Sequence, residues 1–315
     1  MYMGAVFADS TKSSYKSHAN AYLRYCAFFD RVPVPAHQET LIGYVVFLAR
    51  SLNPRSINCY LNIIRILHVC AGYKNPLADN WELKMLKRAI FRKHGVPLVQ
   101  KEPITVDMLL DIRSLLDFKC DFDVCMWAAC LIAFYGFLRK STLLPKTSTV
   151  DAKQCLCRRD VVDLQIESFV LTIRHSKTNQ FGQRVLSLPF AKCQNKRLCP
   201  VRALIRHLSI NTPQPDNCLF IYRESGSLKR LTHSVFTERL KVLISQAGYD
   251  SSSISPHSFR RGGTSFANQA NMSPLVVKAR GDWSSNAYEK YIFLSKHSTM
   301  KAAKRVSRAV SKCLE

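Results

Sequence analysis

Residues 255–263 read SPHSFRRGG. Ser255 and Pro256 supply a favoured helix start, an N-cap residue followed by a first-turn proline. The three-residue spacing then puts His257 and Arg260 on one face of the predicted helix. A forked guanidinium beside a group that can carry a proton suits an anionic ester such as a phosphodiester, whose non-bridging oxygens gain charge during attack by a further oxygen.

A second motif follows some twenty residues later. Residues 281–288 read GDWSSNAY, and Tyr291 comes three places after Tyr288. Ser284 or Ser285 is placed to cap a short helix that carries both tyrosines. Because the two are three residues apart, they share one face of that helix.

The charge of the chain points to a polyanionic partner. Lys and Arg number 46 against 22 Asp and Glu, a net charge of +24, and the pI is about 9.8. Basic runs occur in both halves, at residues 50–65, 84–93, 192–206 and 301–312. One such run is ordinarily a solvated face, but together they indicate nucleic-acid binding.

The length and the patterning predict two domains. The chain has 315 residues and 47% hydrophobic residues, enough for a sizeable core. Apolar residues at helical spacing predict helices over residues 10–30, 39–51, from Pro54 onward and 81–92. Residues 95–103 lack periodicity and contain Pro97 and Pro103. We therefore assign a helical domain to 1–94, a linker to 95–103 and a second domain to 104–315.

The second domain is predicted to be mixed. An apolar helix begins near Asp121 and is followed by Arg139 and Lys140. Runs rich in branched and aromatic residues predict strands at 161–166, 169–173 and 184–188, with Lys177 at the polar tip between the last two. Helices are predicted at 105–116, 200–209 and 234–247.

The cysteines and the longest apolar stretch exclude some functions. Residues 125–138 are too short to span a bilayer, and no secretory pattern begins the chain, so we expect an intracellular, reducing location and no membrane. The chain has 12 cysteines, several of them in apolar runs. Cys155-x-Cys157 and Cys193-x5-Cys199 lack the spacing of a zinc knuckle, so structural cysteines are favoured and no metal or cofactor is expected.

The motifs resemble a known superfamily. Arg139 after an apolar helix, Lys177 on a hairpin, His257-x-x-Arg260 and Tyr291 ten residues after a glycine occur in the order found in tyrosine recombinases, the phage-integrase superfamily. Three motifs are most similar to those of recombinases of eukaryotic DIRS-like, Ngaro-like and Crypton mobile elements. They are FLRKS at 137–141, HSFRRGG at 257–263 and GDWSSNAY at 281–288. The resemblance spans the chain, but before residue 100 it is only architectural.

The resemblance implies a fold and a reaction. The fold would be mainly α with some β (α+β): a helical core-binding domain and a mostly helical catalytic domain with a small antiparallel sheet, forming a C-shaped DNA clamp. The enzyme would be a site-specific recombinase or integrase that cuts and rejoins DNA through a 3'-phosphotyrosine, without metal or ATP, for integration, excision or transposition of a mobile element.

The resemblance also implies roles for the residues of the motif. Tyr291 would be the nucleophile, His257 the base, and Lys177 the acid for the departing 5'-oxygen, while Arg139 and Arg260 would hold the non-bridging oxygens. Counting from Gly281 favours Tyr291, and packing or a phosphate contact is the role left for Tyr288.

Two positions depart from the family. The residue after Gly281 is usually His or Trp, but here it is Asp282, with Trp283 one place later. Either Trp283 fills that catalytic role or the site lacks it, and we expect Asp282 to face away and to pair with an arginine such as Arg280. Thr142 stands where the family has an acidic residue.

The expected partner is double-stranded DNA. Candidate contacts are Arg55, Asn58, Asn62, Arg65, Lys140 and Arg261. Residues 298–314 form a basic amphipathic segment which, by the resemblance, would dock into a neighbouring subunit of a homotetramer on DNA. Packing on its own domain, and a monomer when free, are the alternatives. The eukaryotic resemblance and the basic runs predict a nuclear location.

Other functions with the same residues stay open. A domesticated DNA-binding protein that does not cut DNA would keep the basic surface but would lose part of the set. A type IB topoisomerase or a telomere resolvase would use the same chemistry to relax or to close DNA.

Overall fold

The computed structural model describes residues 7–97, 99–148, 155–177, 179, 182–294, 299–300 and 303–308. The chain divides into two compact units, residues 1–99 and 100–315. The first unit is helical, and the second combines helices with small antiparallel sheets.

The helices of the first unit follow the predicted apolar stripes. They are α1 Asp9–Phe28, α2 Gln38–Ala49, α3 Pro54–Cys70 and α4 Trp81–His94. Their shared core contains Tyr22, Tyr44, Leu41, Ile57 and Ile64, each at most 1% exposed. Asn53 caps α3 as its sequence predicts, because its side-chain oxygen accepts from the Arg55 N–H at 3.0 Å.

The second unit is built around one helix that is buried on every side. This helix, α6, spans Asp121–Tyr135, and its residues from Asp123 to Phe134 are all buried. Further helices in the described part of this unit include α5 Val106–Ser114, α7 Lys140–Leu143, α8 Pro200–Asn211, α9 His233–Gln246, α10 His257–Gln269 and α11 Pro274–Arg280, with 3-10 turns at Arg158–Asp160 and Asn286–Tyr291. Because α6 is apolar on all faces, other elements of the unit must pack around it to cover those faces. Their positions are therefore set by their contacts with α6.

An antiparallel sheet carries the lysine hairpin. Its strands are β1 Val161–Val162, β2 Ser168–Ile173 and β3 Leu186–Ala191, in the order β1-β2-β3. The first strand is shorter than predicted, and the third is shifted toward the C-terminus. Phe169 and Phe190 pair across β2 and β3 with ring centroids 4.6 Å apart and nearly parallel, which sets the register of the hairpin.

Sequence patterning did not predict a second hairpin. Strands β4 Ile221–Glu224 and β5 Ser227–Arg230 pair through a two-residue turn, Ser225-Gly226. Both turn residues have positive φ, 50° and 76°, as a type I′ turn requires. The Ser-Gly pair was the available signal, but the flanking strands are short and exposed in part, so their periodicity is weak.

Helix α10 approaches its neighbours too closely for any residue but glycine at two positions. A Cβ on Gly262 would lie 2.0 Å from the Ile104 carbonyl oxygen, and one on Gly263 would lie 2.0 Å from the Phe134 carbonyl oxygen. The sequence predicts Ser255 as the N-cap of this helix and Pro256 in its first turn. In the structure α10 begins at His257, so Pro256 is the N-cap, and the Ser258 hydroxyl accepts from the Ser255 N–H at 3.1 Å. The two glycines therefore fix the depth at which α10 lies against the end of α6.

The described residues contain neither a metal-binding cluster nor a membrane-spanning helix. In the described part of the chain, no group of three or more His, Cys, Asp or Glu residues is placed to hold a metal ion, and no helix is long and apolar enough to cross a membrane. Residues 299–300 and 303–308 are helical and exposed. The remainder of the predicted amphipathic segment at 298–314 lies outside the described residues.

We expect Gly263→Ala to lower the free energy of unfolding by about 1–3 kcal/mol, because the added methyl group meets a backbone oxygen that cannot move alone. Urea unfolding followed by circular dichroism measures the change. The matched control is Gln269→Ala, at an exposed position of the same helix. Equal stability of the two variants would contradict the close-packing argument.

Candidate active site

The two motifs and the end of α6 meet at one place in the second unit. His257 and Arg260 lie in the first turns of α10, Trp283 follows α11, and Tyr291 ends the 3-10 turn. The Tyr291 ring centroid lies 5.0 Å from that of His257 and 5.2 Å from the Arg260 guanidinium carbon. Residues more than thirty positions apart in sequence are thereby brought together.

Arg260 is the buried centre of this site. Its residue surface is 2% exposed, and its Nη atoms donate to the carbonyl oxygens of Phe137 and Gly281, the latter at 2.7 Å. A buried charge requires such partners. Burial, and secondly the charge of Arg139, lower the pKa of Arg260, yet an arginine stays protonated at neutral pH.

The Phe137 carbonyl is directed by a sharp turn at the end of α6. Phe137 has a φ of 51°, in the left-handed region that a bulky residue seldom adopts. The turn bonds Leu138 N–H to Ala133 O at 3.0 Å, so the chain reverses directly after the helix. Arg139, two residues after Phe137, is partly buried and is the N-cap residue of α7.

Trp283 fills the space beneath Arg260. The guanidinium carbon lies 3.8 Å from the Trp283 ring centroid, a cation–π contact. The Trp283 ring also lies against Gly281, where a Cβ would be 1.6 Å from the ring. Only glycine at 281 lets the tryptophan reach the arginine, so the GDW triplet has a steric reason.

The two tyrosines have different surroundings. Tyr288 is 8% exposed and packs in a small apolar cluster with Phe137, Ala267, Val277 and Trp283. Tyr291 is partly buried and lies beside His257 and Arg260. Tyr291 also packs against this cluster, and its ring is the one that contacts His257 and Arg260.

The positive charges of the site act on His257. The pKa of His257 is lowered from its ordinary 6.5, first by desolvation of the ring and then by the charges of Arg260, Arg139, Arg261 and Lys177. The direction agrees with a neutral imidazole surrounded by cations. Arg139 and Lys177 therefore contribute to the positive field at His257.

Asp282 pairs with an arginine, as the sequence predicts, but the partner is Arg184. Its carboxylate pairs with Arg184 at 2.5 Å and accepts from the Ser176 hydroxyl at 2.7 Å. Arg280, the example chosen from the sequence, has other partners: its Nε donates to the Tyr135 carbonyl at 2.8 Å, and its guanidinium stacks on Phe190 and Phe137. Arg280 is therefore bonded to the end of α6, whereas Asp282 is bonded to the hairpin that carries Lys177.

Sequence reasoning missed Ser176 and Arg184. Both are ordinary hairpin residues by composition, and their separation from Asp282 in the chain hides the contact. It also missed Ser265, whose hydroxyl accepts from the Phe293 N–H at 2.8 Å and donates to the Tyr291 carbonyl at 3.2 Å. Ser265 therefore holds the backbone on the C-terminal side of Tyr291.

The predicted DNA contacts fall in two places. On α3, Arg55, Asn58 and Arg65 are exposed along one stripe, and Asn62 is partly buried between Tyr15 and Arg65. In the second unit, Lys140 donates to the Thr237 hydroxyl at 3.1 Å, and Arg261 donates to the Lys101 carbonyl. DNA contact by any of these residues stays a prediction.

The chain is similar to known integrases and recombinases in sequence and in fold. No family model matches the chain. It is 23% identical over 279 residues to an integrase/recombinase XerD homolog of Selenomonas ruminantium, covering 86% of this chain and 77% of that protein. The structure resembles the Tn1549 transposon integrase bound to transposon right end DNA, with a TM-score of 0.61, 12% identity and coverage of 96% and 95%.

A second solved structure has the same fold. A lambda integrase dimer bound to a COC' core site superposes with a TM-score of 0.60 at 12% identity, covering 91% of this chain and 89% of that one. The mostly helical architecture with small antiparallel sheets is that of these recombinases. The fold class predicted from the sequence is confirmed.

We predict that removing one positive charge raises the pKa of His257. Because the folded-state pKa lies below the unfolded-state value, protonation of His257 favours unfolding as the pH falls below about 6.5. In Arg139→Met the pKa should move up toward its ordinary value, since a repulsive charge is gone. NMR titration of the histidine ring signals measures it.

Lys140→Met is the matched control for this titration, because it removes the same unit charge from the adjacent position, where the ammonium is bonded to Thr237. An equal or larger change in the control, or a downward change in Arg139→Met, would contradict the cationic cluster.

Proposed function

We propose that this chain, which is similar to tyrosine recombinases and integrases in sequence and in fold, cuts and rejoins DNA at specific sites through a covalent tyrosine intermediate. One observation carries the proposal: the Tyr291 ring lies between His257, the Arg260 guanidinium and Trp283, with ring centroids about 5 Å apart for each aromatic pair. The DNA that it cuts would be that of a mobile element, since its sequence motifs are similar to those of mobile-element recombinases.

The reaction begins with attack of the Tyr291 oxygen on a backbone phosphorus. A phenol has a pKa near 10 and attacks poorly at neutral pH, so it needs a base and a positive field. His257, neutral because its pKa is lowered, takes the phenolic proton. The new O–P bond forms a 3'-phosphotyrosine as the bond from phosphorus to the 5'-oxygen breaks.

The cations supply the electrostatic stabilisation. Charge develops on the non-bridging oxygens during attack, and Arg260 and Arg139 face that charge from positions held by the protein. Arg260 is fixed before DNA arrives, since its carbonyl and Trp283 contacts are internal. Pre-oriented charge costs no reorganisation in the transition state.

The departing 5'-oxygen receives its proton from Lys177. The lysine is exposed in the turn that follows β2, as an acid that must reach a DNA strand should be. Reversal by a 5'-hydroxyl of a partner strand restores the phosphodiester and frees Tyr291. The phosphoryl group stays esterified throughout, so the sequence of steps consumes no nucleotide.

The surface of α3 and the C-terminal segment support the proposed partners. The exposed basic stripe of α3 suits the DNA backbone or its major groove. Met300 and Val306 are 52% and 64% exposed, which suits docking of this segment into a neighbouring subunit of a tetramer. A nuclear location goes with the proposed eukaryotic element.

Tyr291→Phe should abolish the covalent protein–DNA adduct, whereas Tyr288→Phe should retain it. The phenol of Tyr291 is the nucleophile, and Tyr288 packs in an apolar cluster that phenylalanine can also fill. Incubation with a nicked suicide duplex carrying candidate element termini, followed by denaturing electrophoresis, detects the adduct. Persistence of the adduct in Tyr291→Phe would refute the assignment.

Arg65→Ala should weaken DNA binding and reduce the slope of log K against log salt by about 1 if the guanidinium meets a phosphate. Titration of labelled duplex at several salt concentrations measures the slope. Arg24→Ala, which removes an exposed arginine from α1, is the control. The same loss in both variants would show that total charge, and not the α3 stripe, determines binding.

A further inference from the structure

We propose that Asp282 is a positioning residue for Lys177: its carboxylate fastens the hairpin that carries the lysine to the loop that packs beneath Arg260. The proposal rests on the proposed function, since it assigns a role within the same reaction. It also accounts for an acidic residue at a place next to a phosphate, where an unpaired carboxylate would repel the substrate.

The end of the hairpin has a defined backbone frame around Lys177. Ser176 and Asn179 bond to each other through their main chains, with the Asn179 N–H 3.0 Å from the Ser176 oxygen. The Asn179 side-chain amide donates to the carbonyls of Arg174 at 2.9 Å and of Arg184 at 2.5 Å. Asn179 is buried and joins both arms of the hairpin, so the Lys177 backbone moves only with its neighbours.

Asp282 holds this frame from the other side. Its Oδ2 accepts from the Ser176 hydroxyl, adjacent to Lys177, and its Oδ1 pairs with Arg184 on the opposite arm. The Asp282 side chain is 11% exposed, whereas the Arg184 side chain is 49% exposed, so the carboxylate is the buried member of the pair. Charge-assisted hydrogen bonds of this kind are short and about twice as strong as neutral ones.

The same loop also supports Arg260. Asp282 has a φ of 55°, a left-handed conformation that Asp and Asn tolerate better than other residues with a side chain. This conformation turns successive side chains apart: Asp282 goes to the hairpin, and Trp283 goes beneath Arg260 at 3.8 Å. One peptide unit therefore connects the group that fastens the lysine hairpin to the group that supports the arginine.

A lysine at a hairpin tip needs such a constraint in order to act as an acid. The donor must come within hydrogen-bond reach of the leaving 5'-oxygen, and a misplacement of about 1 Å can cost roughly 100-fold in rate. The long lysine side chain provides reach but no direction. Pairing with Arg184 also neutralises Asp282, which removes the repulsion toward the scissile phosphate.

The test compares two leaving groups in the same duplex. One suicide substrate has the natural 5'-oxygen at the scissile bond, and the other has sulfur at that bridging position. A thiol has a pKa near 8.5, far below that of an alcohol, so the sulfur departs without a proton. A defect that acts through Lys177 must appear with oxygen and disappear with sulfur.

Asp282→Asn is the main variant, because Asn tolerates the left-handed conformation and has the same size. We expect adduct formation on the oxygen substrate to slow by about 10-fold or more, with a rate on the sulfur substrate within about 2-fold of the wild type. Lys177→Ala should give the same pattern with a larger loss. Ser176→Ala, which removes the hydroxyl bonded to Asp282 but leaves the ion pair with Arg184, should follow Asp282→Asn and gives the same test should the Asp282 variant fail to fold.

A matched control lies at the far end of the same hairpin. Glu167 pairs with Lys192 there, so Glu167→Gln removes one carboxylate ion pair from β2 and β3 without touching the lysine turn. Its rates should equal those of the wild type on both substrates. The double variant Asp282→Asn with Ser176→Ala should be no slower than the slower single variant, because both substitutions weaken the same contact.

The outcomes separate this inference from the proposed function. If the wild type forms no tyrosine adduct on either substrate, the proposed function fails and Asp282 has no such role. If the wild type forms the adduct but Asp282→Asn is as fast as the wild type on oxygen, the positioning role is refuted. Equal slowing on both substrates would also refute it, because Asp282 would then act through Arg260 or through the fold.

Discussion

The site depends on one buried guanidinium. Arg260 is almost fully removed from water, and its charge is balanced by the carbonyls of Phe137 and Gly281 and by the face of Trp283. An unpartnered charge at this depth would be strongly destabilising. Its partners come from the end of α6 and from the loop after α11, so the same contacts that satisfy the arginine assemble the site.

The surrounding packing follows from this requirement. Gly262 and Gly263 let α10 approach Ile104 and the end of α6, and Gly281 lets the Trp283 ring lie flat against the backbone. Phe137 adopts a left-handed conformation that directs its carbonyl to Arg260. Strain of this kind persists only where neighbouring contacts determine it, as they do here.

The electrostatics of the site match the charge of the chain. A net charge of +24 suits a polyanionic partner, and burial of the ring, followed by the charges of the neighbouring cations, lowers the pKa of His257 so that its imidazole is neutral at neutral pH. Asp282, the acidic residue among these cations, pairs with Arg184 and accepts from the Ser176 hydroxyl. Its negative charge is thus compensated by an arginine of the lysine hairpin.

The sequence by itself determined the helices, the order of the reactive residues and the fold class. Helix stripes and caps such as Asn53 are written in local spacing, and the apolar run of α6 could only be a buried helix. Tertiary structure alone decided that the Tyr291 ring lies beside His257 and Arg260 while Tyr288 is buried in an apolar cluster, and that Asp282 bonds to Ser176, which lies 106 residues earlier. The physical reason is that local periodicity encodes which face a residue occupies, whereas contacts between distant segments depend on how the elements pack around the core.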